Sequence, residues 1–316
     1  MKAIQFDSYG PPKVLREVTV GIPNPGINQV RVRVEATSVN HVDVLARAGW
    51  YKRITWSKGP YGTGIDLVGI VDAIGEKVKG YSQGDRVWGV LGNAFSLPVG
   101  MLADYALVPT KALAPAPTGM TSEEAASALV PATIAWTAMT HVPITPGDTI
   151  VVRGAAGGMG SAIVQLAAHR GARVIGIATD QTAEFVLGLG ADQVLDYRRT
   201  APGDIPRVDG IFDTTGVDLM AWQKRLKQKG RMVTTAALKS PAAFGAILGS
   251  IPAGQRRVRG FAGQPTRSAI KQAAHLLTEG VIKPSIAASF AMDQIADAHR
   301  VFESHGSTGR LVITPH

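Results

Sequence analysis

Thr149-Ile150-Val151-Val152-Arg153, running directly into Gly154-Ala155-Ala156-Gly157-Gly158-Met159-Gly160, decides how this chain is read. The first five residues make a short apolar strand. From Ser161 to His169 the apolar residues Ile163, Leu166 and Ala167 fall on one side of a helix. Between strand and helix lies a turn with few side chains. Its bare backbone N–H groups and the positive end of the helix dipole are what a dinucleotide pyrophosphate requires. Gly154 takes the tight turn, the missing Cβ atoms of Gly157 and Gly158 admit a close approach, and Gly160 lets the helix pack against the strand. Gly154, Ala156, Gly157, Gly158, Met159 and Gly160 are therefore the candidate cofactor cradle.

The pattern continues downstream. Strands are expected at Arg173 to Ala178, Gln193 to Leu195, Gly210 to Asp213, Arg231 to Thr235 and Arg257 to Gly260, with helices through Phe185 to Leu189 and Leu219 to Leu226. Six strands with interposed helices predict an α/β domain of the Rossmann type, a doubly wound parallel sheet covered on both faces. At the end of the second strand, where an adenosine ribose is met, stand Ala178, Thr179 and Asp180. A small residue leaves room for a 2′-phosphate to which Thr179 donates, whereas Asp180 suits free ribose hydroxyls. NADP(H) is favoured over NAD(H), and the phosphate has to find Arg198, Arg199 or Arg310 through the fold.

Upstream the texture differs. Val30-Arg31-Val32-Arg33-Val34 alternates, and Leu67 to Val71 and Asp85 to Gly89 add short runs between glycine turns, as in a compact, mainly β domain. The change comes at Thr121-Ser122-Glu123-Glu124, a capping-box sequence that opens a helix. The expected division is 1–120, then 121–265 for the nucleotide-binding domain, then 266–316 returning to the first domain. Thr266 to Thr278 and Met292 to His305 read as helices, with Arg310 to Ile313 as a closing strand.

Composition narrows the function. The chain has 316 residues, 45% of them hydrophobic, and no cysteine, which removes disulfides, thiolate nucleophiles and cysteine-held zinc. The opening residues Met1 to Gly10 lack the apolar run of a signal peptide, and no stretch of about 18 apolar residues offers a membrane span. A cytoplasmic protein is expected. The formal charge of +9 is scattered, densest at Arg256, Arg257 and Arg259, so nucleic acid is not expected as the main partner.

Several further segments carry a resemblance: Met1-Lys2-Ala3-Ile4, Tyr9-Gly10, Val39-Asn40-His41-Val42-Asp43, Gly64-Ile65-Asp66-Leu67-Val68-Gly69, Gly84-Asp85-Arg86-Val87, Ala132-Thr133-Ile134-Ala135-Trp136, Gly190-Ala191-Asp192, Asp196-Tyr197-Arg198 and Gly309-Arg310-Leu311-Val312. With the glycine turn, they make the whole chain resemble the zinc-independent quinone oxidoreductase branch of the medium-chain dehydrogenase/reductase superfamily. The resemblance implies a GroES-like catalytic domain beside the Rossmann domain and a homodimer. Zinc-using relatives place Cys where this chain has Asn40 and Gly-His-Glu where it has Gly64-Ile65-Asp66, so no metal is expected.

The same resemblance assigns roles. It puts Asn40 at the nicotinamide ribose and substrate, Thr133 near the nicotinamide, Tyr197 near the adenine ribose, and Thr214 and Gly216 along the dinucleotide after the fourth strand. It has the Phe261 backbone meeting the carboxamide and Arg310 reaching a phosphate. Without a metal, the substrate oxygen needs another donor during hydride transfer, and the Tyr51 phenol is the candidate beside Asn40. Conjugated acceptors, quinones and α,β-unsaturated carbonyls, suit such a site because they spread the developing charge. Related quinone reductases often carry a tyrosine where this chain has Leu45, which weakens the case for simple quinones. His41 and Asp43 read as structural on an extended segment, and Asp66 as fixing a turn. Trp50, Trp136 and Ala242 to Ile251 are the expected pocket walls. Alternative readings are a zinc-free alcohol dehydrogenase, an enoyl-thioester reductase, or a non-catalytic NADP(H)-binding protein.

Overall fold

A computed structural model describes residues 1–52, 59–92, 96–237, 241–260, 265–304 and 308–315. In chain order the elements are β1 (Lys2–Phe6), β2 (Arg16–Thr19), β3 (Gln29–Ser38), α1 (His41–Arg47), β4 (Tyr61–Gly62), β5 (Asp66–Ile74), β6 (Arg86–Val90), β7 (Tyr105–Pro109), β8 (Leu113–Pro115) and α2 (Ser122–His141). Next come β9 (Thr149–Arg153), α3 (Gly158–His169), β10 (Arg173–Ala178), α4 (Ala183–Gly188), β11 (Gln193–Asp196), β12 (Val208–Asp213), α5 (Leu219–Gln223), β13 (Leu226–Thr234), α6 (Pro241–Gly249) and β14 (Val258–Gly260). The chain closes with α7 (Arg267–Thr278), β15 (Ile286–Ala291), α8 (Ile295–Glu303) and β16 (Arg310–Thr314).

Two compact units result. One comprises Met1–Val130, Gln264–Thr278 and Pro284–His316; the other comprises Pro131–Gly263 and Glu279–Lys283. The division falls inside α2 rather than at its capped start, because the helix runs on without interruption through Pro131. Thr121 and Glu124 do form the reciprocal cap: the Thr121 N–H donates to Glu124 Oε2 at 2.8 Å and the Glu124 N–H to Thr121 Oγ1 at 3.1 Å. Glu279–Lys283 joins the second unit because Gln165 on α3 grips it. The Lys283 N–H donates to Gln165 Oε1 (2.8 Å), and Gln165 Nε2 returns to the Lys283 carbonyl (3.3 Å).

The second unit holds a six-stranded sheet in the order β11-β10-β9-β12-β13-β14. Every neighbouring pair is parallel. The chain winds outward from β9 to β11, then restarts at β12 on the other side of β9, so the topological switch point lies between β9 and β12. The six predicted strands are these six. Their near-continuous apolar runs reflect burial on both faces: Val151, Ile175, Ile211, Met232 and Val258 share one core with Trp222. Burying such a side chain contributes roughly 1.5–3 kcal/mol. The helix expected to reach Leu226 stops at Gln223, because Leu226 already pairs with Val208 as the start of β13.

The first unit is mainly β. Its larger sheet runs β15-β16-β3-β5-β6-β8, with β7 also paired to β3, and a smaller one runs β2-β1-β4. β16 returns from the far end of the sequence to pair with β3, Val312 opposite Ser38 and Ile313 opposite Thr37. One expectation is corrected here. Residues after Asn40 are not extended: α1 starts at His41, and Asp43 Oδ2 accepts the Asn40 backbone N–H at 2.9 Å, closing the helix start. His41 is therefore an exposed first-turn residue whose ring lies 6.3 Å from that of Phe302.

Candidate active site

At the carboxyl end of β9 the chain turns at Gly154, whose φ of +72° favours glycine. The N–H groups of Gly154 and Ala155 are tied to the Ile177 carbonyl of β10 (3.0 and 3.1 Å), which fixes the turn to the sheet. A Cβ on Gly154 would lie 2.3 Å from Thr214 Oγ1, and one on Gly160 only 2.1 Å from the Gly154 carbonyl oxygen. Gly157 differs. It is exposed, has φ −74° and ψ 163°, and a Cβ there would meet nothing closer than 3.5 Å. Gly157 is the N-cap of α3, and no side chain caps the helix. The first amides of α3, on Gly158, Met159 and Gly160, thus lack intrahelical acceptors and stand at the switch point.

Beneath the turn lies a pair that sequence reasoning missed. Arg153 Nη1 donates to Asp213 Oδ1 at 2.6 Å and to the Val217 carbonyl at 2.7 Å, and the guanidinium lies 4.6 Å from the Trp222 ring centroid. Asp213 also accepts from Thr215 Oγ1 (2.7 Å), the Gly216 N–H (2.9 Å) and Thr234 Oγ1 (2.6 Å). Both partners are buried. This pair joins the ends of β9 and β12 and shapes the loop holding Thr214 and Gly216. Thr214 is half-buried with its hydroxyl donating to the Arg153 carbonyl at 2.9 Å.

At the neighbouring strand ends, Ala178 opposes Asp196 across β10 and β11. Thr179 caps the short turn that follows, its hydroxyl 3.0 Å from that of Thr182. Tyr197 is 60% exposed. Arg198 Nε donates to Asp196 Oδ1 at 2.9 Å, and Arg199 Nη2 to Asp180 Oδ1 at 2.7 Å. Hydrogen bonds from the Arg198 side chain and backbone hold the Asp196 carboxyl well below the usual carboxylate range. Thr133, on α2, is 1% exposed in the same unit. Phe261 lies outside the described residues.

In the first unit a second polar cluster forms around Asn40. Asn40 Nδ2 donates to the Ser38 carbonyl (3.0 Å) and to Asp66 Oδ2 (2.9 Å), while its Oδ1 accepts from Arg310 Nη2 at 2.5 Å. Arg310 Nη2 also donates to Ser38 Oγ at 2.7 Å. Asp66 accepts further from Thr37 Oγ1 (2.8 Å), the Ser38 N–H (2.7 Å) and Ser38 Oγ (2.5 Å). Asp43 accepts the N–H of Asn40 and, at 3.1 Å, that of Gly64. Asn40, Asp43, Asp66 and Arg310 are all buried.

The structure thus brings Asn40 and Arg310 together, although 270 positions separate them. Both Asn40 donors are spent inside the protein, and one Arg310 terminal nitrogen is committed to Asn40 and Ser38. Burial, and next the charge of Asp66, push the Asp43 carboxyl up to about 7. Tyr51 is half-buried; burial first and then the charge of Asp43 raise its phenol, which keeps it a proton donor at neutral pH.

The same cluster tests the metal. Ile65 offers hydrocarbon where a zinc ligand would be needed, Asp66 has both oxygens engaged, and the sequence has no cysteine. Among the described residues no group of three His, Cys, Asp or Glu side chains is arranged to hold a metal ion. These donors do not fit zinc.

Residues 26–118 match the family model described as alcohol dehydrogenase GroES-like domain, and residues 189–313 match that described as zinc-binding dehydrogenase. The chain is 30% identical to 2-methylene-furan-3-one reductase of Solanum lycopersicum over 324 residues, covering 100% of this chain and 79% of the relative. It is also 30% identical to the chloroplastic NADPH-dependent alkenal/one oxidoreductase of Arabidopsis thaliana, covering 100% and 80%. Among solved structures, the quinone oxidoreductase from Coxiella burnetii superposes with a TM-score of 0.91 at 27% identity, covering 100% of this chain and 99% of that one. The Escherichia coli quinone oxidoreductase complexed with NADPH gives a TM-score of 0.84 at 26% identity, with 100% of both chains covered. The chain belongs to the medium-chain dehydrogenase/reductase superfamily, among its quinone oxidoreductase-like members.

Proposed function

We propose that this chain is an NADPH-dependent reductase of α,β-unsaturated carbonyl compounds or quinones, working without zinc. The observation that carries the proposal is the uncapped start of α3 after Gly157, at the switch point of a six-stranded parallel sheet. Relatives named as reducing a methylene-furanone and alkenals or alkenones support the enone class. Leu45, where related quinone reductases often carry tyrosine, fits enones better than simple quinones.

When bound, the dinucleotide supplies the hydride. The residues of the chain do the rest. Gly154, Ala156, Gly157, Gly158, Met159 and Gly160 offer backbone to the pyrophosphate, and the Arg153–Asp213 pair keeps that turn and the Thr214 loop in register. On this reading Thr179 and Tyr197 meet the adenosine ribose, and Thr133 the nicotinamide. Tyr51, with its phenol held protonated, donates to the substrate oxygen as charge develops there. Asn40 is hydrogen-bonded to Asp66 and Arg310, and on this reading that fixed amide and Arg310 hold the site's shape. An activated acceptor needs only this much help, because conjugation shares the charge.

A homodimer belongs to the same proposal, on the ground that among the described residues β14 ends the order of the parallel sheet, an edge strand of the kind that pairs with another chain. No described helix is long and apolar enough to cross a membrane.

The decisive assay follows NADPH absorbance with three acceptor series: alkenones, quinones and saturated ketones. The proposal expects turnover with the first two and none with the third. Reduction of saturated ketones at a comparable rate would contradict it, as would no turnover with any conjugated acceptor.

A further inference from the structure

The ends of β10 and β11 pose a problem in charge. Asp180 stands just past β10, where a carboxylate favours the free ribose hydroxyls of NADH and repels a 2′-phosphate. Arg199 answers it. Its Nη2 lies 2.7 Å from Asp180 Oδ1, and the two side chains are 71% and 55% exposed. Next to it, Arg198 is locked on Asp196 through both Nε and Nη2, and Nη2 also reaches Gln181 Oε1 at 3.3 Å. Asp196 is nearly fully buried, so it fixes Arg198 from below. Among the described residues, Arg198 Nη1 and the Nε and Nη1 of Arg199 have no hydrogen-bond partner. Arg198 and Arg199, in the loop after β11, thus each keep guanidinium donors uncommitted among the described residues.

We infer that the Asp180–Arg199 pair is an exchangeable latch that sets cofactor choice: Arg199 neutralises Asp180 in the free protein and passes to the 2′-phosphate when NADPH binds. The inference rests on the proposed dinucleotide site and adds its selectivity. An exposed single-contact ion pair is worth little, about 0–1 kcal/mol, so releasing it is cheap. A phosphate dianion offers the guanidinium two parallel hydrogen bonds in place of one, which is the stronger arrangement. Arg198, already ordered by Asp196, supplies a second cation without new ordering. Asp196 stays ionised throughout the working range, because the Arg198 hydrogen bonds hold its carboxyl down.

The test is the NADPH-over-NADH preference of the full-length protein, read as the ratio of Kd for NADH to Kd for NADPH by isothermal titration and, alongside it, as the ratio of kcat/KM with NADPH to that with NADH. R199Q frees the Asp180 carboxylate, and the ratio falls at least tenfold, with NADPH losing and NADH gaining. D180N removes the repulsion and frees Arg199, so the ratio holds or rises. Thermal midpoints stay near that of the unaltered protein in both, since the pair is exposed. A ratio within twofold of the unaltered value in R199Q overturns the inference, as does a fall in D180N matching that in R199Q. Failure of the unaltered protein to bind either nucleotide would instead remove the dinucleotide site itself, and the two failures are thereby distinguished.

Discussion

The glycine turn after β9 and the cluster around Asn40 are both polar, yet they are built in opposite senses. At the turn, the helix start keeps its amides uncapped, Gly157 is exposed, and the supporting charges of Arg153 and Asp213 are buried beneath. Around Asn40 the polar groups face one another: Asp66 takes hydrogen bonds from Thr37, Ser38 and Asn40, and Arg310 closes the ring. An unsatisfied row of amides is a site awaiting a ligand. A satisfied buried network instead fixes shape, because each member costs free energy if its partner is removed. On the proposed function, the difference separates residues that would bind the dinucleotide from residues that hold the fold.

The largest effect should come from closing the turn. Gly160→Ala drives a Cβ to within 2.1 Å of the Gly154 carbonyl oxygen, so the turn must deform. Chemical denaturation should show a loss of about 3 kcal/mol, and titration with NADPH a loss of affinity of more than 100-fold. If affinity and stability both stayed intact, the turn would not be packed as described.

Next in size is the opposite case. Asp66→Ala leaves the Arg310 charge buried without its carboxylate neighbour and costs on the order of 3 kcal/mol of stability. NADPH affinity of the folded protein should stay within about threefold, less than 0.7 kcal/mol. A collapse of cofactor binding at unchanged stability would reverse the assignment of the two regions.

A smaller effect follows from pH. The Asp43 carboxyl is raised to about 7 from an ordinary value near 4. Between those values the unfolded chain ionises while the folded one stays protonated, so this group's contribution falls as pH rises from about 4 to about 7 and is level above that. The slope is on the order of 1 kcal/mol per pH unit. His299 acts in the other sense: burial, and next Arg47, lower it to about 3, so its contribution is full above its ordinary value of 6.5 and falls as pH drops from there. Comparing denaturation curves of the unaltered protein and D43N at pH 5 and pH 8 isolates the first group. The unaltered protein should lose more stability over that interval than D43N does. Equal losses would show that Asp43 ionises normally.

Much of the fold was legible because parallel strands buried on both faces read as apolar runs, and glycines punctuate them at each turn. The six strands, the glycine turn and the cap at Thr121 are all local patterns. The helix after Asn40 was legible too, since Asn40 and Asp43 stand three apart as a cap requires, but the resemblance of that segment to a strand end hid it. What the sequence could not show is pairing across the sheet. Arg153 meets Asp213 only because β9 and β12 are neighbours at the switch point, and Arg310 meets Asn40 only because β16 returns to β3. Asp180 and Arg199 likewise belong to loops after adjacent strands. Their partners follow from topology, which no local spacing encodes.

The central claim is that the amides after Gly157 hold the pyrophosphate, and Gly157→Asp tests it most directly. The backbone there accepts a side chain without overlap, and aspartate is a favourable N-cap, so the thermal midpoint should hold or rise. Its carboxylate would occupy the place of the phosphates, and isothermal titration with NADPH should show affinity reduced by at least 100-fold. Undiminished NADPH affinity in a well-folded Gly157→Asp protein would contradict the account.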